Sequence, residues 1–355
     1  MPHKKALIAM SGGVDSSVAA YLTMQAGLSC IGATMRLYEP ESDGTSCPQQ
    51  IIDAKSVADR LGLPFHVFDL KDSFRCHVMD AFVRAYESGA TPNPCVECNR
   101  HLKFGLLLEQ AMALGCDCIV TGHYARITKH PQTGRWTLQK ALDESKDQTY
   151  FLYALTQEQL SRIRFPLGEL TKVAAREIAE SQNFITARKK DSQDICFIPD
   201  GDYPAFIQRY TGHTYPQGDF LDSDGNVVGK HRGAYAYTLG QRKGLGIAMG
   251  EPVYVCAKDM QANTVTVGPQ DALMRTTLLA DNWYWQSVET ICEPLHVTAK
   301  ARSRMAEQPA TVYPEENGKI KVVFDQPQRA ITPGQAVVLY DGDTVVGGGT
   351  ICCVL

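Results

Sequence analysis

A buried strand that runs into a glycine loop and straight on into a helix fixes how this chain begins. Ala6-Leu7-Ile8-Ala9-Met10 is apolar throughout, as a parallel strand covered on both faces must be. Ser11-Gly12-Gly13-Val14-Asp15-Ser16-Ser17 follows at once, and Val14, Val18 and Leu22 then recur at every fourth position, which marks one face of a helix. Gly27 stands where a C-terminal cap belongs. Strand, glycine loop and helix N-terminus together make an anion site. The glycines let backbone N–H groups come close, and the first helical turn adds unpaired N–H groups and the positive end of a dipole. Ser11, Ser16 and Ser17 add hydroxyl donors. No Gly-Lys-Ser/Thr follows, so this is not a Walker loop.

Composition sets the outer limits. At 355 residues the chain is long enough for two or three domains. A hydrophobic share of 44% with 21% charged residues is ordinary for a globular chain. No run approaches the ~18 apolar residues of a membrane-spanning helix. The short apolar run after Met1-Pro2-His3-Lys4-Lys5 is no signal-peptide core, so a cytoplasmic location is expected. The net charge of -4 advertises no polyanionic partner, yet residues 126–190 hold 12 Lys and Arg against 7 Asp and Glu. Such a basic stretch can grip a phosphate backbone or can be a plain solvated helix face.

Over the first two hundred residues, strands at 6–10, 30–37, 65–69 and 117–121 alternate with helices at 14–26, 53–61, 73–88 and 101–114, and helices follow at 157–163 and 171–182. Asp53 reads as an N-cap, and Gly62, Gly89 and Gly115 as helix ends. This pattern predicts a doubly wound α/β domain with a parallel sheet, whose ligands bind beyond the carboxyl ends of the strands. The glycine loop, Met35 and Thr121-Gly122-His123 fall on that rim. Beyond about residue 205, turn signals such as Asp224-Gly225, Asn317-Gly318 and Asp341-Gly342 separate alternating runs, which predicts hairpins. The expected division is an α/β domain at 1–204, a small, mostly β central domain at 205–276 and a β-barrel at 277–355.

Twelve cysteines in a chain of this kind are not a disulfide framework. Cys30, Cys116, Cys118 and Cys256 lie in or beside apolar runs and read as small buried hydrophobes. Cys95-Val96-Glu97-Cys98 stands apart. Pro92 and Pro94 predict an extended lead-in, and Asn99 is a good N-cap for the helix after it. Cys98 beside a helix N-terminus would be a stabilised thiolate, suited to act as nucleophile or metal ligand. Cys196 lies in Asp191-Ser192-Gln193-Asp194-Ile195-Cys196-Phe197-Ile198-Pro199, at the expected end of the α/β domain. Structural zinc, inert buried thiols, and reactive sulfur or an iron–sulfur cluster are the readings open to these residues. Zinc lacks a second Cys-x-x-Cys to complete its four ligands.

The glycine loop resembles the PP-loop of ATP pyrophosphatases, which cleave ATP to AMP and pyrophosphate and use the AMP to turn a carbonyl oxygen into a leaving group. Further segments narrow the resemblance: SGGVDSS at 11–17, TPNPCVECNRHLKF at 91–104, TGHYAR at 121–126, KDQTYFL at 146–152, KKDSQDICFIP at 189–199, YTLGQRKGLG at 237–246 and TPGQ at 332–335. In this order they are similar to the motif series of the tRNA-specific 2-thiouridylase family, over nearly the whole chain. The resemblance implies ATP with Mg2+ at Ala9, Met10, Ser11, Gly12, Gly13, Val14, Asp15 and Ser16, with Met35 and Gly122 against the nucleoside and Asp15 among the catalytic groups. It implies adenylation of O2 of the wobble uridine, a persulfide on Cys196 charged by a sulfur-relay donor protein, and Cys98 as the nucleophile that releases the sulfur, leaving a transient Cys98–Cys196 disulfide. Many members carry Asp where this chain has Cys95. Cys95, Cys98 and Cys196 would also suit a rival arrangement, a 4Fe–4S cluster held by three irons, with the fourth open to sulfide.

A target base must leave its stack to reach a buried pocket. The resemblance implies Asn93, Pro94 and Cys95 against the flipped uracil, and His123, Lys146, Asp147, Gln148, Arg302, Ser303 and Gln335 against tRNA. Lys and Arg suit phosphates, while Asn and Gln read base edges. The family usually shows an aromatic residue where Ser303 stands, so no stacking is expected there. Gln241-Arg242-Lys243-Gly244 reads either as a phosphate-binding turn or as an interdomain contact. Two other functions compete: a PP-loop synthetase or ligase that does not use the cysteines, and a non-catalytic RNA-binding or sulfur-carrier protein that releases no pyrophosphate.

Overall fold

The computed structural model describes residues 4–38, 49–189 and 195–355. Residues 1–3, read above for location, and 190–194 of the Cys196 segment lie outside the described residues. Strands β1 (Lys5–Ala9), β2 (Ser29–Arg36), β3 (Phe65–Asp69) and β4 (Cys118–Val120), with the short strand Ile163–Arg164, form one parallel sheet. Its order is β3-β2-β1-β4 and then Ile163–Arg164. Both faces of β1 are covered, which is why it is apolar at every position. Leu7 packs with Ile31, Phe104 and Ile119 on one face, while Ala6 and Ile8 pack with Val18, Val57 and Val120 on the other. Helices α1 (Val14–Gln25) and α2 (Gln49–Arg60) supply much of that second layer. The sheet grows from β1 in both directions, so a crevice opens at its carboxyl end, where the glycine loop follows. The expected doubly wound domain is present.

Local expectations change where a helix starts earlier than its cap signal suggests. Asp53 is not an N-cap. The apolar face of α2 begins at Ile51, the helix starts at Gln49, and Asp53 lies buried in the second turn. Asn99 likewise caps nothing. Pro94 occupies the first turn of Pro94–Glu97, where its missing N–H costs no helical bond, and the helix runs on through a wider π-type stretch, Cys98–Leu106, into Leu107–Ala113. Asn99 is buried within it and donates to Phe151 O at 2.9 Å. A second π-type turn, Arg75–Met79, packs against this one. Such turns are widened by i→i+5 bonding and concentrate at functional sites.

The region beyond about residue 205, where the sequence predicts mostly β structure, is entered on a helix, Tyr203–Thr211. Asp202 caps it by accepting from Ala205 N at 3.1 Å, and Gly212 ends it at φ +70°. Four strands follow in the order Tyr254–Asp259, Thr264–Gly268, Gly218–Leu221, Val227–His231. Their core, with Phe220, Tyr237 and Val255, is continuous with Phe82, Cys98 and Leu102 of the first domain. The remainder is a six-stranded barrel in the order Met274–Trp285, Ile320–Arg329, Gln308–Pro314, Leu295–Lys300, Ala336–Asp341, Thr344–Val354, closed by pairing of the first strand with the last. Among the described residues, no helix is long and apolar enough to cross a membrane.

Candidate active site

A cavity of about 810 Å3 lies at the carboxyl end of β1. Its wall takes in the whole run from Ala9 to Ser16, together with Met35 near the end of β2 and Gly122 after β4. Gly13 is the extended residue before α1, and no side chain caps the helix. Its first turn therefore presents backbone N–H groups to an anion. The loop is braced from within. Ser11 N donates to Ser16 Oγ at 3.1 Å, and the Ser16 and Ser17 hydroxyls donate to Gly13 O at 3.2 and 2.8 Å. Gly12 adopts φ +70°, and a Cβ there would stand 2.3 Å from Gln50 O.

Two lysines from far down the chain flank this loop, and sequence reasoning missed both. Lys172 Nζ donates to both oxygens of Asp15 at 2.7 and 2.8 Å, and Tyr124 OH donates to the same carboxylate at 3.0 Å. Lys189 Nζ donates to Gly12 O at 2.9 Å and pairs with Asp53 at 2.8 Å. Burial pushes the Asp53 carboxyl up, but hydrogen bonds from Lys189 and Gln49 outweigh it and leave it below the usual carboxylate range. Lys189 belongs to a quoted motif and was open to notice. Lys172 carries no local signal at all.

Cys95, Cys98 and Cys196 open on the same cavity. Cys95 and Cys196 are solvent-accessible and Cys98 is buried. Crowding around the Cys196 sulfur pushes its thiol up to about 12, and the neighbouring Cys98 and Cys95 add to the effect. The expected stabilised thiolate at Cys98 is not found. Cys98 lies past the first helical turn, and burial raises its thiol above the ordinary value. Protein packed around its sulfur raises Cys95 as well, although the residue is accessible, and at all three thiols the Lys103 ammonium opposes the rise. Lys103 Nζ lies 3.4 Å from His123 Nε2, and His123 Nδ1 lies 2.7 Å from Thr121 Oγ1. Burial first, and Lys103 second, hold His123 well below its ordinary value, so the ring is neutral. Among the described residues, no three His, Cys, Asp or Glu side chains are grouped to hold a single metal ion.

Pro94, Lys146, Asp147 and Gln148 also line the cavity. Gln148 Oε1 accepts from Tyr124 N at 2.9 Å and Asp147 Oδ1 from Ala141 N at 3.1 Å, so both brace the rim. Asn93 borders a smaller neighbouring cavity of about 190 Å3. Arg302, Ser303 and Gln335 do not line the main cavity. Gln335 Nε2 donates to Thr91 O and Pro92 O at 2.9 and 3.1 Å, tying the barrel to the lead-in of the cysteine loop. Arg302 Nη2 donates to Leu239 O and Thr332 Oγ1 at 3.0 and 2.6 Å. Ser303 is exposed.

Three family models match in succession: the tRNA methyl transferase HUP domain over residues 4–200, the tRNA methyl transferase PRC-barrel domain over 204–269 and the aminomethyltransferase beta-barrel domain over 275–351. The tRNA-specific 2-thiouridylase MnmA of Acetivibrio thermocellus is 47% identical over 359 residues, covering 99% of this chain and 100% of that one. The chain belongs to the tRNA-specific 2-thiouridylase family. Its member from Clostridioides difficile is 45% identical over 98% of each chain. Among solved structures, the U34-tRNA thiolase NcsA of Methanococcus maripaludis with its 4Fe–4S cluster is 16% identical, with a TM-score of 0.35 over 58% of this chain and 66% of that one. The motifs that pointed to the 2-thiouridylase family run through all three matched regions, from SGGVDSS to TPGQ.

Proposed function

We propose that this chain performs ATP-dependent 2-thiolation of the wobble uridine of tRNA. In this reading residues 1–204 carry the chemistry, while 205–276 and 277–355 help to present the RNA. The observation that carries it is the shared cavity, which has an uncapped glycine loop and helix N-terminus on one side and Cys98 with Cys196 on another. Ala9 to Ser16 cradle the phosphates of ATP, and Met35 and Gly122 flank its nucleoside. Mg2+ takes one or two carboxylates beside phosphate oxygens and keeps several waters; Asp15, paired through both oxygens with Lys172, would have to share one of them to hold it. Asn93, Pro94 and Cys95 meet the flipped uracil. The resemblance assigns His123, Lys146, Asp147, Gln148, Arg302, Ser303 and Gln335 to tRNA; Arg302 and Gln335, whose Nη2 and Nε2 donors are engaged within the protein, would act by holding the loops that meet it. With these substrates, the protein would work in the cytoplasm.

The uracil O2 attacks the α-phosphorus of ATP. The new O–P bond forms as the bond to pyrophosphate breaks, and N3 gives up its proton. AMP is a far better leaving group than oxide, so C2 opens to sulfur. The terminal sulfur of a Cys196 persulfide attacks C2 and displaces AMP. The Cys98 thiolate then attacks Cys196 Sγ and breaks the S–S bond. The departing sulfur keeps the electron pair and stays on C2, becoming the thione as N3 takes back a proton, while Cys98 and Cys196 are left oxidised to a disulfide. A dithiol reductant and a persulfide-relay donor restore the starting state.

A second reading rests on the third thiol. Cys95, Cys98 and Cys196 would hold a 4Fe–4S cluster through three irons, and the fourth would offer sulfide. Anaerobic purification with iron and labile-sulfide analysis separates the two, because an iron-free protein fully active with a persulfide donor removes the cluster. The reaction itself is tested by incubating purified protein with tRNA, ATP, reductant and a persulfide donor, then digesting the tRNA for mass spectrometry. One AMP is expected for each 2-thiouridine. Full activity in Cys98→Ser and Cys196→Ser would return the ligase alternative, and absence of pyrophosphate release would return the non-catalytic one.

A further inference from the structure

The Leu239-Gly240-Gln241-Arg242-Lys243-Gly244 loop takes no part in the cavity. Its backbone is pinned from both sides. Gly240 N donates to Val255 O at 2.8 Å, and the Gln241 side chain closes the loop on itself by accepting from Thr238 N at 3.1 Å and donating to Lys243 O at 3.0 Å. From the barrel, Arg302 Nη2 donates to Leu239 O at 3.0 Å and Arg329 Nη2 to Gly240 O at 3.2 Å. Gly240 adopts φ +82°, and a Cβ there would stand 2.8 Å from Ala330 Cβ. Ala330 is itself buried at φ +53°, a left-handed conformation that alanine holds only where its surroundings over-determine it.

The seam thus decides between the two sequence readings of this loop by separating its parts. The Leu239 and Gly240 carbonyls make the interdomain contact and Gln241 closes the loop, which leaves Arg242 and Lys243 exposed beside the exposed Arg329. Among the described residues, none of Arg242, Lys243, Arg302, Arg304 and Arg329 forms an ion pair with a carboxylate, in a chain of net charge -4. The same seam reaches the cysteine loop. Thr332 Oγ1 accepts from Arg302, Pro333 O accepts from Thr91 N at 2.9 Å, and Gln335 holds Thr91 and Pro92. The ridge formed by Arg242, Lys243 and Arg329 is therefore tied through the barrel to the segment that leads into Cys95.

We propose that Arg242 and Lys243 grip the phosphate backbone of an RNA whose base enters the cavity, with Arg302 and Arg329 as positioning residues for the loop. This rests on the tRNA reading above and adds a docking point to it. Cations without internal counter-ions bind a polyanion with release of its condensed ions, and the salt dependence counts the phosphates they neutralise.

The test is tRNA affinity between about 50 and about 200 mM salt for wild type and R242Q/K243Q. Each phosphate left without its cation takes ~0.7–0.9 off the log–log slope, so the double variant should be shallower by about 1.5 and bind about tenfold more weakly at low salt. Each single variant should show about half the slope change, and thermal melts confirm that all are folded. Arg302→Met should weaken tRNA binding although both outward cations remain, and added to R242Q/K243Q it should change the slope no further; a further loss of about 0.7–0.9 would make Arg302 itself a phosphate contact and overturn its positioning role. An unchanged slope in the double variant overturns the ridge and leaves the tRNA reading standing. A wild type that binds no tRNA overturns both. Loss of an acidic protein partner with tRNA binding intact assigns the ridge to protein and overturns the RNA contact.

Discussion

Asp15 shows how much of the site depends on single charges. Its side chain is 32% accessible and is held by Lys172, whose side chain is 10% accessible. Removing one member of a fully buried pair costs about 3–5 kcal/mol, and solvent screening at Asp15 reduces that to about 1–2 kcal/mol for Lys172→Met. A lower urea midpoint should report it. In the absence of Mg2+, binding of a non-hydrolysable ATP analogue should weaken at least about tenfold, because an unpaired carboxylate would then face the phosphates. Cys196 gives a pH signature. With its thiol pushed up to about 12, the thiolate fraction climbs about tenfold per pH unit below that value. Alkylation of Cys196, followed by peptide mass spectrometry, should therefore rise without a plateau from about pH 7 to about pH 10. A plateau within that range would show a stabilised thiolate instead. The residue types at these positions were legible in the sequence, but their environments were not. Cys98 has a cap-like neighbour in Asn99, and only the helix that starts early at Pro94 reveals that the thiol is inside rather than at the end.

At the scale of elements, β1, Lys5–Ala9, was legible to within a residue because an unbroken apolar run has few alternatives in a parallel sheet, while β3, Phe65–Asp69, is an edge strand that was legible without such a run. Helix starts were less legible, since Asp53 and Asn99 look like caps locally while packing carries each helix past them. The π-type stretches were not legible at all, because the reading assumes 3.6 residues per turn. The turn after β4 carries the most exacting packing. Gly122 does not need glycine for its φ; it needs the space. A Cβ would stand 2.6 Å from Asp15 C and 2.7 Å from Ser16 N, backbone atoms that cannot swing aside. Gly122→Ala should therefore force the rim away from the first turn of α1. The expected cost is about 1–3 kcal/mol of stability, seen as a Tm lower by a few degrees, with ATP-analogue binding weakened at least about tenfold. Unchanged affinity would mean that this turn does not shape the nucleotide site.

At the scale of the whole molecule, the sequence showed that three differently textured regions follow one another, but not how they are joined. The joint is made by side chains whose partners lie tens to hundreds of residues away, and no local pattern records them. Gln335 is the sharpest case. The motif resemblance assigns it to tRNA, yet its amide is engaged by carbonyls 244 and 243 residues away, at Thr91 and Pro92. These bonds hold the segment that leads into Cys95. A hydrogen bond contributes about 1 kcal/mol, so losing both in Gln335→Ala withdraws about 2 kcal/mol from the ordered loop. If the loop is competent only when ordered, its working population falls by up to about thirtyfold. Under saturating tRNA, kcat for thiolation should drop by about ten- to thirtyfold, while KM for tRNA moves less than about threefold. Pyrophosphate release in a single turnover should slow in step with thiolation, because the same loop places the base for adenylation. A rise in KM with kcat preserved would instead make the amide an RNA contact that the loop can spare.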